Sequence, residues 1–119
     1  MRRVVITGIG SVTPLGSGIE YSWQSLLKSQ SGIDKIQSFD VSDLPVKIAA
    51  EVPVGIESDK NFDFRRWVSD KDRRKNDAFI IFGIAAASQA IEDAGWKPER
   101  EEDLCRTGVI IGSGIGGLP

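Results

Sequence analysis

The sequence contains no histidine, a single cysteine (Cys105) and no long apolar run. Without His, neither Ser-His-Asp nor Cys-His nucleophile chemistry can be assembled from these residues. One Cys excludes an intramolecular disulfide and a tetrahedral Cys/His zinc site. The longest apolar stretch, residues 78–87, has 10 residues, where a membrane-spanning helix needs about 20. The start, MRRVVITGIG, is basic like a signal peptide, but Gly8 and Gly10 interrupt its apolar part and no small-residue cleavage site follows. A lone Cys fits a reducing compartment, and a cytoplasmic location is the expectation. Net charge is also small. The 15 Lys and Arg against 17 Asp and Glu leave −2, and a pI near 5.1 argues against a dedicated nucleic-acid binder.

What is present is one domain's worth of ordinary globular sequence, 119 residues with 13 Gly. Val4, Val5 and Ile6 form a β-branched run that enters Thr7-Gly8-Ile9-Gly10, read as a buried strand ending in a Gly turn. The loop SVTPLGSG follows. Ser17 with Glu20 is a capping-box signature for a helix start. Ile19, Trp23, Leu26 and Leu27 then share one helical face, expected to be buried, and Gly32 is the expected C′ residue. Ile48 to Val52 reads as a short strand, which Pro45 and Pro53 confine to an edge or an excursion. Residues 55–64, GIESDKNFDF, read as a surface loop.

Residues 77–94, DAFIIFGIAAASQAIEDA, are apolar over most of a helical circumference and predict a buried helix closed by Gly95. A polar, acidic connection at 98–103 leads to Thr107-Gly108-Val109-Ile110-Ile111, a second expected buried strand, and then to Gly112, Gly114, Gly116 and Gly117. Both strand runs are continuous rather than alternating, which predicts an α/β architecture with covered sheet faces.

Several features compete for a chemical role. Gly8 and Gly10 follow a strand as a dinucleotide fingerprint does, but Thr13 stands where the third Gly belongs and no helix opens there. The simpler reading is close approach of backbone to backbone. Gly112, Gly114 and Gly117 match that fingerprint literally, yet a Gly run serves any close approach to a ligand or strand. Cys105 lies beside acidic residues 101–103, which disfavour its thiolate, and no base is available. Within residues 65–75, six cations (Arg65, Arg66, Lys71, Arg73, Arg74, Lys75) face two carboxylates (Asp70, Asp72), a local +4 against −6 for the rest. This stretch is either a solvated helix start, which the macrodipole disfavours slightly, or a docking site for an anionic partner.

Taken together, four segments in order resemble one family: RRVVITGIGSVTPLG, the SGI of Ser31, Gly32 and Ile33, RRKNDAFIIFGIAAASQAIEDAGW, and GVIIGSGIGG. They look like the start of a β-ketoacyl-acyl-carrier-protein synthase, most of all its elongating type II branch. The resemblance implies a thiolase-like fold with layers α-β-α-β-α, of which residues 1–119 form the N-terminal part of the N-terminal domain. The rest of that domain and a C-terminal domain are expected outside the chain. It implies an acyltransferase that performs a decarboxylating Claisen condensation, with one Cys, two His and no metal or dissociable cofactor. The family's catalytic residues have no counterpart here, and Cys105 does not align with the nucleophile. Two roles carry over by position. Lys71, Arg74 and Lys75 are the expected docking cations for acidic acyl carrier protein, which decides the reading of the basic stretch. Ile115 is the expected acyl-pocket residue. The resemblance further implies a homodimer, with neither nucleic acid nor membrane as partner. The competing readings are a non-catalytic chain-length-factor subunit of a polyketide synthase and a nucleotide-binding α/β module.

Overall fold

The computed structural model of the chain describes residues 2–116. Its elements are β1 (Val12–Thr13), β2 (Gly16–Ser17), α1 (Ile19–Leu27), β3 (Ile33–Lys35), β4 (Ile48–Ala50), a 3-10 turn (Phe64–Arg66), α2 (Asp70–Arg73), α3 (Ala78–Ala94) and α4 (Glu101–Cys105). β1 and β2 form a tight antiparallel hairpin pairing Val12 with Ser17 and Thr13 with Gly16. β3 and β4 form a second antiparallel ribbon with Asp34 opposite Ala49. The strand expected at Ile48 is therefore present, and it lies in a two-stranded excursion as the flanking prolines require.

Helix α3 has the expected bounds and ends on Gly95, whose φ of 61° is the left-handed C′ conformation. Only Ile81 and Ala85, one turn apart, are fully buried on it. Ile80, Ile84 and Ile91 lie on the open side, so the expectation of a helix covered all round is corrected. The reason is that the described residues cover only part of its circumference, beginning with the aromatic flank. There, Phe62 packs edge-on against Phe82 (4.8 Å between centroids) and Phe64 (4.9 Å), with Trp67 stacked at 6.5 Å. Phe62 is fully buried and lies inside the stretch expected to be a surface loop. That stretch is folded inward by its own backbone: Phe62 N–H donates to Pro53 O at 2.7 Å, and Gly55 N–H to Phe62 O at 3.2 Å.

A second flank of α3 receives the N-terminal segment. A Cβ on Gly8 would lie 2.1 Å from the Ala90 carbonyl oxygen, and one on Gly10 2.0 Å from that of Ala86. Beside them, Ile9 N–H donates to Asp93 Oδ2 and Ser11 N–H to Gln89 Oε1, both at 2.9 Å. The fit is one of periods. Two residues of extended chain rise about 6.6 Å and one helical turn about 5.4 Å, so glycines two apart meet alanines four apart. Close backbone approach is thus the role of this Gly pair, and the segment runs on into the β1–β2 hairpin rather than a phosphate-binding helix.

Four local expectations are corrected. Ser17 does not cap α1. It is paired in β2, and Gly18, with φ of 109°, occupies the N-cap with no side-chain bond. Helix α1 ends at Leu27, with Ser29 at φ 53°, so Gly32 is not its C′ residue. Gly32 instead abuts Pro14. The buried residues of α1 are Ser22 and Ser25, which face the hairpin: Ser22 Oγ and Thr13 Oγ1 lie 2.8 Å apart. Ile19, Trp23, Leu26 and Leu27 face outward. Finally, the polar connection carries α4.

Neither β-branched run forms a strand. Val4, Val5 and Ile6 are 94%, 68% and 84% exposed, and Val109, Ile110 and Ile111 are 83%, 97% and 70% exposed. A continuous apolar strand needs paired neighbours and two covered faces, and the described residues offer these segments neither. What they form is a mixed helix and sheet unit, in which no helix is long and apolar enough to cross a membrane.

Candidate functional site

The charged site is built around α2. Ser69 caps it: Ser69 Oγ accepts from Asp72 N–H at 3.2 Å and donates to Asp72 Oδ2 at 2.7 Å. Backbone bonds from Arg73 N–H to Ser69 O and from Lys75 and Asn76 N–H to Asp72 O carry the helical path past the last residue of α2. Lys71, Arg74 and Lys75 therefore stand at i, i+3 and i+4 and share one exposed face. Lys71 is the second residue of α2, and Arg74 and Lys75 follow its last residue, ahead of α3. Asp70 and Asp72 flank this face, and Asp72 is engaged by the cap.

Two other cations of the stretch, Arg65 and Arg73, are otherwise occupied. Arg65 makes a forked pair with Asp63, Nε to Oδ1 at 3.1 Å and Nη2 to Oδ2 at 3.2 Å. That hydrogen bonding holds the Asp63 carboxyl below the usual carboxylate range. Arg73 lies about 200° round the helix from Lys71. Its guanidinium carbon sits 4.5 Å above the Phe64 ring. Among the described residues, the ion pairs join Arg65 to Asp63, Arg100 to Asp103 and Arg106 to Glu102, leaving Arg66, Lys71, Arg74 and Lys75 of this stretch without one. Sequence reasoning counted Arg73 only in the charge sum. Its opposite helical phase, with FDF upstream, was the available signal.

Ile115 is 83% exposed and lines neither the open cleft beside Ile9, Tyr21 and Asp93 nor the one beside Val54 and Arg73. Gly116 next to it touches the Phe79 ring, while Gly112 and Gly114 have open space about them. Gly117, the third Gly of the literal fingerprint, lies outside the described residues. Cys105 is exposed at the end of α4.

Residues 1–118 match the family described as Beta-ketoacyl synthase, N-terminal domain. The chain is 54% identical over 118 residues to a 3-oxoacyl-[acyl-carrier-protein] synthase 2 of Rhizobium meliloti (strain 1021), covering 99% of this chain and 28% of that protein. It is 48% identical to the synthase 2 of Vibrio cholerae serotype O1, over 98% of this chain and 26% of that protein. A solved structure, "The ishigamide ketosynthase/chain length factor", is similar in fold, with a TM-score of 0.67 and 31% identity over 81% of this chain and 22% of its own. The chain thus spans little more than a quarter of the length of these curated relatives. With the matched family running through all the described residues, the chain belongs to the β-ketoacyl synthase N-terminal domain family.

Proposed function

We propose that the protein carrying this chain is a 3-oxoacyl-[acyl-carrier-protein] synthase of type II, and that α2 is part of its carrier-protein docking surface. The observation that carries the reading is the 54% identity, over nearly the whole chain, to a protein of that name. The uncommitted face of Lys71, Arg74 and Lys75 supports the docking role. In this reaction a Cys thiolate takes the acyl group from the carrier protein, releasing the carrier thiol. Malonyl carrier protein then loses carbon dioxide, and its carbanion attacks the acyl thioester carbonyl, expelling the Cys thiolate. The Cys and two His that do this have no counterpart among residues 1–119. This chain's own contribution is to receive the carrier and to shape the acyl site. The reading includes the layered thiolase-like fold, supported by the uncovered β-branched runs at 4–6 and 109–111, which suit central strands. It also includes a homodimer and a cytoplasmic location.

Docking by exposed cations steers encounter more than it fixes affinity, and salt screens it. The double reversal Arg74→Glu with Lys75→Glu is expected to raise the KM for acyl carrier protein about tenfold at low salt with kcat retained. Unchanged kinetics at low salt would remove the assignment. For Ile115, whose exposed side chain is free to line a pocket, Ile115→Phe is expected to slow elongation of long acyl primers about tenfold by overpacking, sparing short ones. Normal handling of long primers argues against that role.

The solved relative, whose name sets a chain length factor beside a ketosynthase, keeps a second reading in view, that of a non-catalytic subunit. Mass spectrometry after incubation with acyl carrier-protein thioester separates them. A condensing enzyme gains one acyl group on Cys, and a non-catalytic subunit gains none.

A further inference from the structure

The basic face of α2 is carried by a helix of only four residues. A helix that short has no stability of its own, because nucleation costs more than its few hydrogen bonds return. The side-chain hydrogen bonds of residues 69–76 all stay inside that segment. They shape α2 but do not tie it to the rest of the molecule. Arg73 does. It leaves the helix opposite to Lys71, Arg74 and Lys75 and lies over the Phe64 ring at 4.5 Å. Phe64 in turn packs against Phe62 at 4.9 Å and Phe82 of α3 at 5.8 Å. A guanidinium on a ring face gains quadrupole attraction and flat stacking together. It also places Arg73's charge on the negative face of a ring, among three neighbouring cations that repel it.

We infer that Phe64 and Arg73 form a brace that holds α2 on the aromatic core and so keeps Lys71, Arg74 and Lys75 in position to receive the carrier protein. Both are positioning residues, and the inference rests on the docking role proposed above. A partner meeting a surface already in its bound arrangement does not spend binding energy on ordering it. Loss of the brace therefore weakens binding even where every docking charge remains.

The test measures affinity for acyl carrier protein by titration at low salt, together with amide hydrogen exchange at Arg73, Lys75 and Asn76. Phe64→Leu keeps all charges and most of the burial but removes the ring. It is expected to weaken binding and speed exchange about two- to fivefold, the range set by an exposed cation–π contact. Phe64→Tyr keeps the ring and is expected to restore both. Arg73→Gln, on the surface and so without cost to the core, is expected to speed the same exchange. In the double variant with Phe64→Leu its effect on binding is expected to be smaller than alone. The brace is overturned if Phe64→Leu binds as the parent does, if Phe64→Tyr is as weak as Phe64→Leu, if Arg73→Gln leaves exchange unchanged, or if the two single effects add in full. Arg74→Glu separates this from failure of the docking role. If that reversal leaves binding intact, the docking reading is wrong. If it weakens binding while Phe64→Leu does not, only the brace is wrong.

Discussion

Replacing Phe62 by alanine is expected to lower the unfolding free energy of the chain by about 3–5 kcal/mol. Phe62 is 0% exposed and is the largest of three apolar residues fully buried among those described. Its ring is the common neighbour of Phe64, Phe82 and Trp67. Truncation therefore removes the transfer free energy of the ring and leaves a hole touched by three other aromatics. The hole cannot close easily. The backbone on either side is pinned through Pro53 and Gly55, and Phe82 is fixed on α3. Urea unfolding followed by tryptophan fluorescence reads the loss directly. A change below about 1 kcal/mol, the size of an ordinary surface substitution or little more, would mean that the aromatic cluster is not the core.

Giving Gly10 a methyl group is expected to cost about 2–3 kcal/mol or more, the upper range of overpacking. The added Cβ would meet the Ala86 carbonyl oxygen at 2.0 Å, the Gln89 Cβ at 2.7 Å and the Ala90 amide nitrogen at 2.8 Å. Two of those three atoms are helix backbone, which cannot swing aside as a long side chain does. The segment must lift off α3, and the bonds from Ile9 and Ser11 N–H to Asp93 and Gln89 go with it. Gly8→Ala is expected to behave alike. Gly108→Ala and Gly112→Ala, with nothing within 4 Å of the added methyl, are expected to fall within about 0.5 kcal/mol of the parent. Thermal melts of the four variants side by side decide the point. Equal melting of Gly10→Ala and Gly112→Ala would show that the segment does not lie on the helix.

The uneven legibility of the fold follows from the range of the forces involved. The bounds of α3 were readable because a helix's hydrogen bonds join residues four apart and Gly95 ends them locally. The Gly8 and Gly10 pair was readable as a close approach, though not which surface it approaches. The capping box at Ser17 misled because its local preference is weaker than hairpin pairing with Val12. The docking role proposed for Lys71, Arg74 and Lys75 came from a family resemblance. Their i, i+3, i+4 spacing could have been read without it, whereas the seat of Arg73 on Phe64 joins positions whose contact depends on how the chain turns between them.

The amino-acid sequence alone determined the family, the lack of histidine in this chain, the local excess of positive charge and the longest helix. All of these rest on residue identity or on bonds a few positions long. Only the tertiary structure decided which side of each helix is covered. It turned the serine face of α1 inward and placed the core at Phe62, in a stretch that composition marks as surface. It also laid Arg73 over the Phe64 ring and left Lys71, Arg74 and Lys75 on the opposite, open face. Burial and strand pairing depend on partners distant in sequence, and no periodicity within a segment says which partner arrives.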